Sequence, residues 1–323
     1  MTRKLIQSAF IMAIIVVTLG ALTRLLDAGL GCPDWPGCYG QVTPPTTEEN
    51  QLVDSGKAWM EMIHRYVASL LGLMILIAAI VAYRDDTITP KAKSIAQLLL
   101  VLVIIQGLFG MWTVTLQLLP QVVTLHLLGG MTVLATTFWL MLHLNQTATP
   151  DILHKPKFFS SLALIALVCQ IALGGWTSST YSGLACTDFP TCDGQLLPQL
   201  EFSQAYNLTD FAEKNYEGGV MDSAARVTIQ YTHRVMAVIV TIIILTLYFK
   251  LRQITAFKVT SRILLFSLLL QLGLGISAAT MMLPLSIALL HNSGAALLLL
   301  VIVYINYLLF SNRQDNLYST FIR

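Results

Sequence analysis

The chain has 323 residues, of which 55% are hydrophobic and 11% are charged, and its formal net charge is +2. A soluble domain carries roughly 25% charged residues, and the mean hydropathy of this chain is +0.70. The composition therefore excludes a water-soluble globular protein and indicates an integral membrane protein. No basic cluster in the sequence indicates a nucleic-acid partner.

Eight apolar stretches are long enough to cross a bilayer, which requires roughly 20 apolar residues per helix. In chain order they cover about residues 8–26, 58–83, 94–116, 122–144, 158–178, 224–249, 262–283 and 286–310. We predict an all-α integral membrane protein with eight transmembrane helices, arranged as two pseudo-symmetric four-helix bundles. The first stretch lacks a small-residue cleavage site, so we expect a retained span and not a signal peptide.

Lysine and arginine concentrate on one side of the predicted spans. Thirteen of the 19 lie at the termini or on alternate loops: Arg3, Lys4, Arg84, Lys91, Lys93, Lys155, Lys157, Lys250, Arg252, Lys258, Arg262, Arg313 and Arg323. Because such residues favour the cytoplasmic side, we expect both termini in the cytoplasm of a bacterial-type cell membrane. The two long loops, roughly 27–57 and 179–223, are then outside.

The two halves of the sequence match each other in three ordered blocks. Residues 31–41 match 185–195, residues 61–65 match 230–234, and residues 106–126 match 271–291. Repeated order of this kind indicates an internal duplication. We therefore predict two halves, residues 1–157 and residues 158–323, each with four spans in the same orientation.

Four of the six histidines occupy equivalent positions, namely His64 and His126 in the first half and His233 and His291 in the second. An ionisable side chain inside a span is costly and is a functional candidate. Two histidines at matched depth suit the two axial positions of a haem iron. A hydrogen-bonded packing role is the alternative for any single histidine. Zinc is the competing metal, but no acidic or cysteine residue at that depth completes four ligands in both halves.

Arginine directly follows one histidine in each half, at Arg65 and Arg234. We expect these guanidinium groups to pair with haem propionates, because a guanidinium binds carboxylates through paired hydrogen bonds. The two remaining histidines are assigned to other places, His143 to the inner boundary of a span and His154 to a solvated inner loop.

Each long loop contains a Cys-x5-Cys pair, Cys32 with Cys38 and Cys186 with Cys192. The outer compartment permits disulfides, and this spacing allows bridging. Two interpretations remain open. Each pair is a staple that shapes the loop over its pocket, or a pair is redox-active, for which the first is the stronger candidate.

The clearest difference between the halves is Glu61, where the second half has Gln230. Glu61 precedes His64 by three residues and shares its helix face. A carboxylate in this pocket suits proton transfer or stabilisation of a developing cation, whereas a structural hydrogen bond or helix cap is the alternative. The asymmetry indicates one chemical site and one electron-transfer site.

Together, the cysteine pairs, Glu-x-x-His-Arg at 61–65, Gln-x-x-His-Arg at 230–234 and the two later histidines resemble the haem A synthase family. The resemblance covers essentially the whole chain. It implies an eight-helix oxidoreductase of cytochrome oxidase assembly that oxidises the C8 methyl group of haem O to a formyl group, giving haem A.

On that pattern, His233 and His291 ligate a resident haem b, whereas His64 and His126 hold the substrate haem and Glu61 is the catalytic carboxylate. The implied partners are haem O, a haem O-producing farnesyltransferase and the lipid bilayer. The sequence identifies neither the electron donor nor the oligomeric state, for which a homo-oligomer is one alternative.

Two other classes of protein compete with this interpretation. A dihaem b-type membrane electron-transfer protein binds two haems but needs no carboxylate in only one half. A transporter with duplicated bundles predicts no haem and has helices broken near the midplane.

Overall fold

The computed structural model describes residues 1–46, 53–145, 147, 149–150, 156–209 and 215–311. His154, Lys155, Lys214, Arg313 and Arg323 lie outside these ranges, so the predicted loop position of His154 and the placement of these four charges are not described.

Eight long helices make up most of the described structure. They are α1 (Thr2–Leu25), α2 (Ser55–Arg84), α3 (Pro90–Thr115), α4 (Pro120–Leu144), α5 (Lys157–Ser179), α7 (Ser223–Leu251), α8 (Lys258–Thr280) and α9 (Leu285–Phe310), and the short α6 (Phe202–Ala205) lies between α5 and α7. All eight are long and apolar enough to cross a membrane. Within the described ranges no β-strand occurs. The predicted all-α, multi-pass membrane protein is confirmed.

Four helices, α1, α3, α5 and α8, end in the same type of turn. In each, a backbone N–H bonds the carbonyl five residues earlier, at 2.8–2.9 Å: Ala28 to Thr23, Leu118 to Thr113, Ser182 to Thr177 and Leu283 to Ala278. The preceding residues have positive φ, at Asp27, Gln117, Tyr181 and Met282. This is the Schellman arrangement, which satisfies carbonyl groups at a helix end.

The predicted end of α8 at residue 283 is three residues too late, because α8 ends at Thr280. The turn that ends it has Met282 in the left-handed conformation, with φ 62°. A glycine normally marks such a turn, and the apolar methionine gives no such signal in the sequence.

The same helix contacts occur in both halves of the chain. In the first half α1 contacts α2 and α4, and α3 contacts α2 and α4. In the second half α5 contacts α7 and α9, and α8 contacts α7 and α9. The two groups meet where α4 contacts α5 and α9, and where α1 contacts α9. The division at residues 157 and 158 stays a prediction that this pattern of contacts supports.

A polar cluster joins the two groups at the end of the bundle that carries the cysteine loops, called here the loop end. Arg24 donates to the backbone oxygen of Ser178 at 2.6 Å and pairs with Asp27 at 3.0 Å. The Tyr181 hydroxyl donates to the same carboxylate at 3.0 Å. The Arg24 guanidinium also lies 4.1 Å from the centroid of the Tyr181 ring. These contacts hold the ends of α1 and α5 together.

Candidate functional site

The four histidines of the repeat lie on α2, α4, α7 and α9, and each packs the Cε1 edge of its ring against a glycine of a neighbouring helix. A Cβ atom on that glycine would lie 2.9–3.2 Å from Cε1, which is too close for an ordinary side chain. The pairs are Gly20 with His64, Gly110 with His126, Gly174 with His233, and Gly275 with His291. Glycine lets the helices approach closely enough to hold each ring.

Two of these histidines also contact a glutamine that lies four residues before the glycine. Gln106 Nε2 lies 3.0 Å from Nδ1 of His126 and donates to the backbone oxygen of His126 at 2.6 Å. Gln170 Nε2 lies 3.2 Å from Nδ1 of His233 and donates to the backbone oxygen of His233 at 3.1 Å. The glutamine therefore fixes both the ring and the turn of helix that carries it.

A third glutamine, Gln271, occupies the same position before Gly275. Its Oε1 packs against Gly294, one turn after His291, as the Oε1 of Gln106 packs against Gly129. In α1 the residue four positions before the packing glycine, Gly20, is Val16. The Nδ1 atoms of His64 and His291 have no hydrogen-bond partner.

The structure brings the histidines together in the predicted pairs. His64 and His126 lie close enough to interact electrostatically, and so do His233 and His291. All four histidine residues are partly buried and retain some exposed surface.

This donor set fits a haem better than it fits zinc. Across the described residues, no group of three or more His, Cys, Asp or Glu side chains is placed to hold a metal ion. A protein zinc site takes three or four such ligands. A haem iron brings four nitrogens of its own and needs only two axial ligands. Three buried glutamine oxygens beside these pairs, on Gln106, Gln170 and Gln271, also have no hydrogen-bond partner, and a metal-bound histidine usually donates its second ring N–H to an acceptor.

Both cysteine pairs form disulfide bonds. The sulfur atoms are 2.06 Å apart in Cys32–Cys38 and 1.96 Å apart in Cys186–Cys192. All four residues are buried. The disulfides therefore lie in the packed interior of their loops, and whether the first pair also has redox chemistry stays open.

An aspartate organises the turn of each cysteine loop. Asp188 accepts hydrogen bonds from the backbone N–H groups of Asp193 at 2.8 Å and Gly194 at 2.9 Å, and Asp34 has the equivalent place in the first loop. Hydrogen bonds from the Thr191 hydroxyl and from these two N–H groups hold the pKa of Asp188 at about 2. The carboxylate consequently remains ionised, and caps the turn, at any physiological pH.

Arg234 connects the second loop to α7. It donates to the backbone oxygens of Cys186 at 2.6 Å, Asp188 at 2.8 Å and Thr191 at 2.7 Å. Three carbonyl groups of one loop thus converge on a single guanidinium.

Arg65 has the same role in the first loop, with one difference. It donates to the backbone oxygens of Asp34 at 3.0 Å and Gly37 at 2.7 Å. Its second terminal nitrogen forms an ion pair with Glu61, whose other oxygen accepts the N–H of Cys32 at 2.8 Å. The Glu61 side chain is only 5% exposed. Glu61 therefore joins α2, the arginine and the disulfide loop.

Gln230, which occupies the position of Glu61 in the second half, forms no ion pair with its arginine. Gln230 is buried, and its Oε1 has no hydrogen-bond partner. Arg234 donates a hydrogen bond directly to the backbone oxygen of Cys186. The predicted pairing of both arginines with propionates stays a prediction, since in the structure each guanidinium is bound to loop carbonyls.

Sequence reasoning did not identify the glycines and glutamines that face the histidines. Their signal is the repeated spacing Gln-x-x-x-Gly, which places both residues on one face of a helix. It occurs at 106–110, 170–174 and 271–275, with Val-x-x-x-Gly at 16–20.

Eight membrane-length helices with two dihistidine sites near disulfide-bonded loops define a multi-pass membrane protein with two similar paired-histidine sites. Residues 3–303 match the sequence model of the family described as cytochrome oxidase assembly protein, and the chain belongs to that family.

Curated relatives of the chain are named heme A synthase. The protein from Shewanella oneidensis is 41% identical over 320 residues, which cover 94% of this chain and 96% of the relative. The protein from Nitrosomonas eutropha is 26% identical, with coverage of 91% and 89%. The protein from Halalkalibacterium halodurans is 30% identical over 58% of this chain and 62% of the relative.

The arginine contacts predict that Arg234→Lys loosens the second loop, because one ammonium cannot reach all three carbonyls. A lost charge-assisted hydrogen bond costs about 1.5–3 kcal/mol, so reduction of Cys186–Cys192 by dithiothreitol should be roughly tenfold faster or more. The rate is measured by alkylation and mass spectrometry. Arg252→Lys, at an exposed position on the far side of the bundle, is the control and should not change it. Equal rates for both variants would contradict this role of Arg234.

Proposed function

We propose that the chain is a haem A synthase, an oxidoreductase that converts the C8 methyl group of haem O into a formyl group. The observation that carries the proposal is a pair of similar dihistidine sites, only one of which has a buried carboxylate one helical turn away. Membership of the cytochrome oxidase assembly family and the names of the relatives support the same activity.

We assign the substrate to the first half, residues 1–157, where His64 and His126 hold haem O and its product haem A. We assign a resident haem b to the second half, residues 158–323, where His233 and His291 would hold its iron. When bound, haem b supplies electron transfer between an external donor and the first half. The glycine contacts of all four rings support ligation, since they fix each imidazole within its bundle.

Oxidation of the substrate takes place at a carbon atom outside the macrocycle. The methyl group is oxidised twice, first to an alcohol and then to a geminal diol, with molecular oxygen as the oxidant. Each step takes up one O2, two electrons and two protons and releases one water, and the diol then loses water to give the aldehyde. A centre of positive charge that develops on this carbon is stabilised by a fixed negative charge nearby.

Glu61 is the residue proposed to provide that charge. Its two oxygens are held by Arg65 and by the N–H of Cys32, so the carboxylate is fixed in position before the substrate binds. It lies one turn from His64, on the same face of α2. The disulfide Cys32–Cys38 and Arg65 then serve to position Glu61 at the pocket of the first half.

We infer that the loop end faces the outside of a bacterial cell membrane and that both termini are cytoplasmic. The described basic residues at the opposite end support this orientation: Arg3, Lys4, Arg84, Lys91, Lys93, Lys157, Lys250, Arg252, Lys258 and Arg262. Such residues favour the cytoplasmic side of a membrane. A farnesyltransferase that makes haem O is the expected source of the substrate.

The variant Glu61→Gln tests the proposed activity. The amide oxygen can still accept the N–H of Cys32, but the negative charge is lost, so haem binding should persist. Formation of haem A should fall by roughly 100-fold or more, as for removal of one transition-state electrostatic contact. The measurement is chromatography of haems extracted from the purified variant.

The control for this experiment is Gln230→Leu, which removes the matching amide of the second half. Because the Oε1 of Gln230 has no partner, this variant should still make haem A. Wild-type amounts of haem A from Glu61→Gln would show that the carboxylate has no part in the reaction.

A second variant tests the ligation of haem b. In Gly275→Ala the new Cβ would lie 2.9 Å from Cε1 of His291, so the ring must move. Overpacking of this kind costs about 1–3 kcal/mol, and we expect haem b to bind about ten- to 100-fold more weakly. Gly273→Ala is the matched control, because its Cβ would meet nothing within 4 Å. Haem b is quantified as its pyridine complex, and equal content in both variants would contradict ligation by His291.

A further inference from the structure

Both disulfide loops expose the same two kinds of apolar side chain. Trp35 and Phe189, at equivalent places of the repeat, are 47% and 49% exposed. Val42 and Leu196, seven residues later in each loop, are 77% and 74% exposed. A single exposed apolar side chain is ordinary on a protein surface, but the same aromatic and aliphatic pair occurs in both halves. Each pair is called here a loop patch.

The two loop arginines hold the aromatic residue of each patch beside a membrane-length helix. Arg65 of α2 bonds backbone oxygens on both sides of Trp35, at 3.0 and 2.7 Å. Arg234 of α7 bonds backbone oxygens on both sides of Phe189, at 2.8 and 2.7 Å. The two aromatic residues therefore lie next to α2 and α7, at the level of these arginines.

That level coincides with the boundary of a bilayer core. The helix α2 has 30 residues and ends, far from the loops, at the basic Arg84. A hydrocarbon core takes roughly 20 helical residues, so a count from Arg84 reaches its other boundary at Arg65. The same count from Leu251, the last residue of α7, ends within one turn of Arg234. Aromatic side chains are enriched at this boundary, where a ring contacts both acyl chains and headgroups.

The first loop patch also continues the lipid-facing side of α2. Ile63, Tyr66 and Leu70 are exposed and lie on one side of the helix. An exposed apolar side of a membrane-spanning helix contacts lipid. The Tyr66 hydroxyl donates to the backbone oxygen of Val42, so the patch adjoins this side directly. On α7 the exposed Val235 occupies the place of Tyr66.

We propose that both disulfide loops are membrane-interface elements, and that the loop patches contact the phospholipids of the leaflet at the loop end. The occupant is the bilayer because each patch lies at the boundary of the core and the first adjoins a side that lipid covers. The bilayer then holds the first loop against Arg65, together with the Cys32 N–H that Glu61 accepts. This inference goes beyond the proposed activity and does not depend on it.

Photocrosslinking of the full chain in vesicles of phosphatidylethanolamine and phosphatidylglycerol tests this contact. The photoreactive residue p-benzoylphenylalanine, which reacts with nearby C–H bonds on illumination, replaces Trp35 or Phe189, one at a time. We expect phospholipid adducts at both positions, identified by mass spectrometry of the resulting peptides. Replacement of Ile63 is the positive control. Glu217, an exposed acidic residue of the second long loop, is the negative control and should give no phospholipid adduct.

Replacement of Val42 or Leu196 repeats the test without disturbing the packed interior, because both side chains are largely exposed. Intact disulfides, checked by mass spectrometry without reduction, show that the loops keep their structure. Two results would overturn the inference. One is the absence of phospholipid adducts at all four loop positions while Ile63 gives them. The other is adducts with a second copy of the chain, in place of lipid, at these positions.

Discussion

The edge of an imidazole ring packs against a helical glycine at four equivalent places, and this contact fixes the positions of the four histidines on which both sites depend. A membrane interior offers no water to a polar ring, so the ring must be held by protein. Glycine brings the neighbouring helix close enough to do so. Since each contact joins two helices, the same glycines that orient the histidines also set the packing of α1 with α2, α3 with α4, α5 with α7 and α8 with α9.

On this repeated scaffold, two substitutions distinguish the halves. Glu61 replaces the glutamine found at position 230, which puts a fixed charge beside the first pocket and ties it to the disulfide loop. Val16 stands where the second half has Gln170, so α1 has no side-chain amide at that position. Both changes lie in the same half. In the proposed function, this half holds the substrate haem and the other half holds the resident haem b.

The sequence predicted the eight helices because apolar length is a local signal. It placed the four histidines at equivalent positions through the internal repeat, and their role as ligands stays a prediction. It misplaced the end of α8, where a non-glycine residue, Met282, adopts a left-handed conformation. It did not predict that Arg65 and Arg234 bind carbonyls of loops 28 or more residues away along the chain. Such contacts depend on how a loop folds back over a helix, which neither periodicity nor composition encodes.

The central claim is that one chain holds a permanent haem b in its second half and haem O or haem A in its first. The most direct test is extraction and chromatographic identification of the haems from purified wild type and from His233→Ala. The account predicts haem b together with haem O or haem A in the wild type, and selective loss of haem b in the variant. Haem b alone, at two per chain, would contradict it and would favour an electron-transfer protein.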